Sequence, residues 1–203
     1  MNDKELSIEL PTNGGISVLL VGSTRSGKTT ITKHLLKKYF KDHIQVLMSP
    51  NIHAGIYKDL DKNTIVSPEF LPQVIHECYT INRKTDNHYD FLVVLDDVVN
   101  KKFDKDLLKL FTTHRNCNIS GIQSIQSPIL LNSAMRGNIN VVMLGFMNSD
   151  ESCEKVIRMF CYASVKGKNI EEKINEYKRL TSDHHWIVVN NLTGEIYRTK
   201  LRL

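Results

Sequence analysis

Apolar residues in this chain gather in short, unbroken runs, each closed by a polar or turn-forming residue. Ile16–Val21 (ISVLLV), the stretch HIQVLMSP from His43, YDFLVVLDDV from Tyr89, NISGIQSIQS from Asn118 and NVVMLGF from Asn140 all have this form. Runs this apolar suit strands covered on both faces. Between them the spacing turns helical. TTITKHLLKKYF follows the first run, and FLPQVIHECYTI (Phe70–Ile81) predicts a helix opened near Ser67-Pro68. Asp104–His114 places Leu107, Leu108, Leu110 and Phe111 on one side, and SPILLNSAMRGN has similar apolar spacing. Asn148 or Ser149 can cap a helix presenting Val156, Ile157, Phe160 and Cys161. Asn169–Leu180 repeats the period with Ile170, Ile174, Tyr177 and Leu180. At the start, ELSIEL (Glu5–Leu10) alternates like a short strand before Pro11 and the turn formers Asn13, Gly14 and Gly15. At the end, HWIVVNN and EIYRTKL flank Leu192-Thr193-Gly194 as a hairpin, while Asn51–Asn87 carries a weaker signal. Strands alternating with helices predict an α/β chain, and 203 residues are most simply one domain.

One junction carries a chemical signature. Between the run at Ile16–Val21 and its helix lies GSTRSGKT, Gly22 to Thr29, which fits G-x-x-x-x-G-K-[ST] in the strand–loop–helix context that the motif demands. The glycines let the loop wrap closely enough for backbone N–H groups to face phosphate oxygens. Gly22, Ser23, Thr24, Arg25, Ser26, Gly27, Lys28, Thr29 and Thr30 are therefore expected to cradle a nucleoside triphosphate. Lys28 would reach the β- and γ-phosphates, the Thr29 hydroxyl would hold Mg²⁺, and the helix would aim its positive end at the same anion. The competing reading is an ordinary glycine-rich turn.

The run from Tyr89 ends in two adjacent carboxylates, as a Walker B strand does. Asp96 would hold the metal ion through water or Thr29, and Asp97 would polarise the water that attacks the γ-phosphate. Alternatively, one or both cap the following loop. The run from Asn118 carries Gln126 near its end, where an amide can donate to the γ-phosphate and accept from the attacking water. Gln126 could instead make a helix-entry bond with Ser127 or Ser124, and Gln123 sits inside the strand. Lys101, Lys102 and Lys105 form a basic stretch, either a solvated face or a loop touching DNA phosphates.

Composition changes the picture little. No apolar run approaches the roughly 20 residues that span a bilayer, and MNDKELSIEL is not expected to be a signal peptide. Four cysteines without a C-x-x-C pair point to free thiols rather than disulfides or a zinc site. A net charge of +5 permits contact with nucleic acid without establishing it. His184 and His185 are adjacent, so on a strand they would face opposite ways and make a poor metal pair; Trp186 reads as packing.

Taken together, the elements resemble a RecA-like P-loop ATPase: a central, mostly parallel sheet flanked by helices, with a C-terminal β-hairpin. Within that fold the chain resembles the FtsK–HerA superfamily, and most of all its viral genome-packaging ATPases of the poxvirus, giant-virus and virophage type. GSTRSGKT, the LDD ending at Asp97, the T-H-R-N segment with Arg115 and the strand ending in Gln126 carry the resemblance. AMRGNINVVMLGF (Ala134–Phe146) adds to it, although Gly137 after Arg136 and the lack of an acidic residue near Asn140 depart from the family pattern.

The resemblance implies one ATPase domain over 1–203, with 1–15 as an extension and 150–203 as C-terminal helices plus the hairpin. It implies ATP and Mg²⁺ as cofactors, and an ATP-hydrolysing motor that drives double-stranded DNA into a preformed capsid. The expected partners are further copies in a pentameric or hexameric ring and a capsid vertex or portal component. No membrane anchor is expected, and the place of action would be the host-cell cytoplasm at the site of virus assembly, with association with the virion a further expectation. Lys28, Thr29, Asp96, Asp97 and Gln126 keep their roles, and Arg115 becomes an arginine finger completing a neighbour's site, with Arg136 as second candidate. Two other classes share the P-loop: a small-molecule or nucleotide kinase, for which no lid segment stands out, and a nucleotide-dependent assembly switch.

Overall fold

The computed structural model describes residues 1–98, 105–131 and 133–200. Strand β1 (Ser17–Val21) runs into the phosphate-loop segment and helix α1 (Lys28–Lys38), followed by β2 (Ile44–Met48) and a short β3 (Ile65–Ser67). Helix α2 (Pro72–Lys84) precedes β4 (Phe91–Asp96), and α3 (Lys105–Thr112) precedes β5 (Ile119–Ile125). Then come α4 (Ser133–Asn138), β6 (Val141–Leu144), α5 (Asp150–Val156) and α6 (Ile170–Thr181), and the chain closes with β7 (His185–Asn190) and β8 (Glu195–Lys200).

The strands form one eight-stranded sheet in the order β3-β2-β4-β5-β1-β6-β7-β8. The pairings from β3 to β6 are parallel, and β7 and β8 add antiparallel. Crossover helices cover both faces, which is why the inner strands could be written as continuous apolar runs. On one face α1 buries Ile31, Leu35 and Leu36 against Val18, Leu20, Leu92 and Val94. On the other, α2, α3, α5 and α6 bury Ile75, Phe111, Val156 and Tyr177 against Leu19, Val21, Val93 and Leu95. Fully burying each such side chain contributes roughly 1.5–3 kcal/mol.

Because β1, β4, β5 and β6 are parallel, their carboxyl ends all emerge at one edge of the sheet. The opposite edge is fastened by a polar network. Buried His114 donates from Nε2 to Asn140 Oδ1 at 2.8 Å, and that same oxygen accepts from the Ser17 amide at 2.9 Å and the Ser17 hydroxyl at 3.1 Å. Burial pushes the His114 pKa down, with the Asn140 hydrogen bond acting against it. Asn140 therefore works as a clamp between β1, the turn that precedes β5, and the start of β6.

Two sequence expectations need correction. Glu5–Leu10 forms no ladder; only an isolated bridge joins Asp3 to Arg198. Its alternation is still real, since Leu6 and Ile8 are buried while Ser7 and Glu9 are exposed. The Tyr197 hydroxyl, accepting from the Ser7 amide and donating to the Ser7 carbonyl, stands in for the partner strand. The second correction is β3, which the weak signal of that region concealed: three residues at the sheet's edge, with Ile65 and Val66 both exposed. Lys101, Lys102 and Asp104 lie outside the described residues, and Lys105 is exposed at the start of α3.

Candidate nucleotide-binding site

The carboxyl ends of β1, β4 and β5 meet around a cleft of 430 Å³ lined by Thr24 through Ile31 together with Asp96, Asp97, His184 and Trp186. Gly22–Thr29 hangs from its neighbours by backbone bonds: the Gly22 amide donates to Ile125 at the end of β5, and the Ser23 amide to Phe146 beyond β6. Gly27, which caps α1, sits at φ 96°, a left-handed conformation open to glycine at little cost. Beneath the loop lies the Trp186 ring, so close to Gly145 that an added Cβ would come within 2.7 Å of it.

Lys28 is buried and folds back on the loop, donating to the carbonyls of Gly22 at 2.7 Å and Ser23 at 3.1 Å. Its third proton is left for a phosphate oxygen. Burial lowers the Lys28 pKa, while the charges of Asp97 and Asp96 act against that shift. The Ser26 hydroxyl is buried in the loop without a partner, which suits a loop shaped to accept further ligand oxygens.

Asp96, the last residue of β4, is 1% exposed and held from three sides. Ser124 of β5 donates to Oδ1 at 2.6 Å, Thr29 donates to Oδ2 at 3.2 Å, and Tyr57 donates to the same Oδ2 at 2.5 Å. Thr29 and Asp96 thus place a hydroxyl and a carboxylate side by side, the oxygen donors Mg²⁺ takes from a protein when phosphates and water supply the rest. Among the described residues no cluster of three or more His, Cys, Asp or Glu side chains could form an all-protein cage. The donors present fit a phosphate-bridged Mg²⁺.

Asp97 turns out of the strand at φ 59°, left-handed for a non-glycine residue. That conformation costs roughly 1–2 kcal/mol and is found where surroundings or function hold it in place. Both of its carboxylate oxygens accept from Gln126 Nε2, at 3.0 and 2.9 Å, and Gln126 Oε1 accepts from the Thr24 hydroxyl at 3.3 Å. Gln126 therefore bridges the phosphate loop and the second carboxylate, just past β5. The alternative partners Ser124 and Ser127 are engaged elsewhere, with Asp96 and with the Ile129 amide. Gln123, buried within β5, stays out of the cleft.

Arg115 is not at this edge. It is exposed in the short turn His114–Asn116 that precedes β5, and it makes no hydrogen bond or ion pair among the described residues. Seven strand residues separate it from Gln126, roughly 20 Å at the usual rise. Arg136 sits on α4 and donates to the Leu131 carbonyl at 2.9 Å. Neither arginine lines the cleft of its own chain.

Two residues that shape the site had no chemical signal in the sequence. Trp186 reads as packing and is indeed 2% exposed, but its ring floors the loop. Tyr57 lies in the weakly patterned region and gave none. Burial and the Asp96 charge raise its pKa, so it stays a donor. Replacing Tyr57 with Phe removes a hydrogen bond to a buried carboxylate and should lower unfolding free energy by about 1.5–3 kcal/mol. Urea denaturation at pH 7 measures this; an unchanged midpoint would mean the hydroxyl does not hold Asp96.

No protein-family model matches the chain, and no curated protein matches it. Solved structures do share its fold. The DNA-packaging ATPase B204 from Sulfolobus Turreted Icosahedral Virus aligns with a TM-score of 0.69 at 14% identity, covering 95% of this chain and 100% of that one. The genome packaging NTPase B204 from Sulfolobus turreted icosahedral virus 2, in complex with AMPPCP, aligns with a TM-score of 0.65 at 12% identity, over 94% and 100%. The pCW3 conjugation coupling protein TcpA, in monomer form with ATPgS, aligns at 0.62 with 14% identity, over 94% of this chain and 61% of that one. With Gly22–Thr29 at the carboxyl edge of the sheet and β5 inserted between β1 and β4, the chain shares the fold of these B204 and TcpA structures.

Proposed function

We propose that this chain is an ATP-hydrolysing motor, built as a homo-oligomeric ring, that moves double-stranded viral DNA into a preformed capsid. The observation that carries the reading is the convergence of Lys28, Thr29, Asp96 and Asp97 on one cleft, with Gln126 hydrogen-bonded to Asp97 and Thr24 beside it, within a fold matched over the whole length of B204. Lys28 binds and neutralises the β- and γ-phosphates. Thr29 and Asp96 would hold Mg²⁺, which would supply charge neutralisation on the β- and γ-phosphates. Asp97 accepts a proton from the attacking water, and Gln126, bonded to Asp97 and Thr24, positions that water against the γ-phosphate.

Arg115 takes the role of arginine finger toward a neighbouring subunit. Its distance from its own cleft and its free guanidinium suit a group that acts only across an interface. Each site would then be complete only in the ring, which couples hydrolysis to assembly. DNA and a portal component at the capsid vertex are the partners, and the host cytoplasm is the place of action. No helix among the described residues is long and apolar enough to cross a membrane.

The test is steady-state ATP hydrolysis across protein concentration, with and without long double-stranded DNA. A rate per subunit that climbs with concentration and rises further with DNA supports a shared-site DNA motor. A rate indifferent to both overturns it and favours a self-contained enzyme such as a kinase. Arg115→Ala should leave ATP affinity nearly unchanged while turnover falls about 10³-fold or more. Wild-type turnover in that variant would remove Arg115 from the site and bring Arg136 forward.

A further inference from the structure

The three hydroxyls that hold Asp96 come from three different parts of the chain. Thr29 follows β1 at the start of α1, and Ser124 is the cross-strand partner of Asp96 on β5, so the sheet itself delivers both. Tyr57 is different. It lies in the segment between β2 and β3, and no strand pairing brings it to Asp96.

That segment is laid along α1 at the border of the cleft. Lys33 of α1 donates to the Ile56 carbonyl at 3.0 Å and pairs with Asp59 at 2.6 Å. Lys37, one turn on, pairs with the same Asp59 at 2.6 Å. Asn51, near the start of the segment, lines the cleft. Tyr57 is 7% exposed and belongs to the apolar cluster of Ile31, Leu35 and Val94, against which Ile52 and Leu60 also pack. With the ring embedded there, the hydroxyl has little freedom, and its 2.5 Å bond to Asp96 Oδ2 is the shortest of the three. The oxygen it meets is the one that also faces Thr29, the hydroxyl that would share a metal ion with Asp96. Burial and the Asp96 charge keep Tyr57 protonated. It therefore offers no anionic oxygen of its own and acts on what Asp96 holds. A carboxylate fixed in advance gives up no further freedom when it takes a cation, and partners behind a metal ligand tune affinity in this way.

We propose that Tyr57 is a positioning residue for the metal ion: its hydroxyl fixes the Asp96 carboxylate in the orientation in which Asp96 and Thr29 take up Mg²⁺, so that segment 49–64 sets how tightly the metal is held. The inference rests on the nucleoside-triphosphate reading above. A bond that merely satisfied a buried carboxylate would change stability and nothing else.

Metal binding separates the two. The full chain, in excess over a non-hydrolysable ATP analogue so that no free nucleotide competes, is titrated with Mn²⁺ as the probe, and bound metal is read by electron paramagnetic resonance. Tyr57→Phe should hold Mn²⁺ about ten-fold more weakly than wild type. In chelator it should bind the analogue as wild type does, because the Lys28 contacts do not involve Tyr57. Para-aminophenylalanine in place of Tyr57 returns a donor to the same spot and should recover most of the lost metal affinity. A Tyr57→Phe chain that holds Mn²⁺ as tightly as wild type, or that does not fold, makes the hydroxyl a structural bond and overturns the proposal. So does an aminophenylalanine chain no better than Tyr57→Phe. A wild type that binds the analogue but no Mn²⁺ fails the metal role of Thr29 and Asp96, and one that binds no analogue fails the nucleotide reading; the positioning role falls with either.

Discussion

A Lys28→Ala chain should lose ATP hydrolysis to background, a fall of at least about 10²–10³-fold, and its affinity for nucleotide should drop with it. Lys28 is buried with two of its protons already committed to Gly22 and Ser23, so the third points where a phosphate would enter. Lys28 is only 7% exposed, and for a charge so screened from solvent an opposite charge counts for more than in water. The cost of keeping it there shows in its lowered pKa, caused first by burial. A buried ammonium held against desolvation is better explained by an anionic ligand than by packing, since alanine would fit the same turn more cheaply. The fold itself should survive: β1 and α1 are anchored by the apolar face around Leu20, Ile31 and Leu35. Circular dichroism and a thermal melt close to wild type, together with lost turnover, are the expected pair. Retained turnover would sink Lys28 as the phosphate anchor.

How much of this was legible in the sequence depended on whether a local rule governed the residue. The inner strands were readable because helices on both faces force them to be apolar throughout, as in Phe91–Asp96. A cap at Asn148 or Ser149 was readable because a side-chain oxygen must serve the first turn, and Ser149 does so. The loop Gly22–Thr29 was readable because the spacing of its glycines, lysine and threonine follows a motif whose chemistry is local to the loop. By contrast, β3 offers only three residues, two of them exposed, too few for any period to show. Glu5–Leu10 alternates for burial, and alternation alone does not say whether a backbone or the Tyr197 hydroxyl will be the partner. Tyr57 reaches Asp96 from a region with no pattern, across 39 positions of sequence, and Trp186 reaches the loop from near the far end. Contacts between distant parts of the chain are set by topology, and no local period records them. Asn140 shows the same limit: the three bonds its side-chain oxygen accepts, from Ser17 and His114, join parts of the chain far apart in sequence.

Asp97→Asn should bind ATP with Mg²⁺ about as tightly as wild type while turnover falls about 10²–10⁴-fold, the range for loss of a general base. Asparagine tolerates the left-handed backbone at φ 59° as well as aspartate does, so the turn out of β4 should persist. The metal-side contacts of Asp96 with Thr29, Ser124 and Tyr57 do not involve Asp97, so the binding half of the site is left intact. What changes is the pair with Gln126. Both Asp97 oxygens accept from the Gln126 amide, and an asparagine would offer only one acceptor and set an N–H₂ against that donor. The glutamine would then lose its hold between Thr24 and residue 97 at the same time as the base is lost. Gln126→Ala therefore serves as the internal comparison: it removes the bridge and keeps the carboxylate. If Asp97 is the base and Gln126 only positions water, the alanine variant should retain more turnover than the asparagine variant, and combining them should add little beyond Asp97→Asn. Wild-type turnover in Asp97→Asn, with nucleotide binding confirmed, would reduce Asp97 to a loop cap and leave the water to be activated by some other group in the cleft.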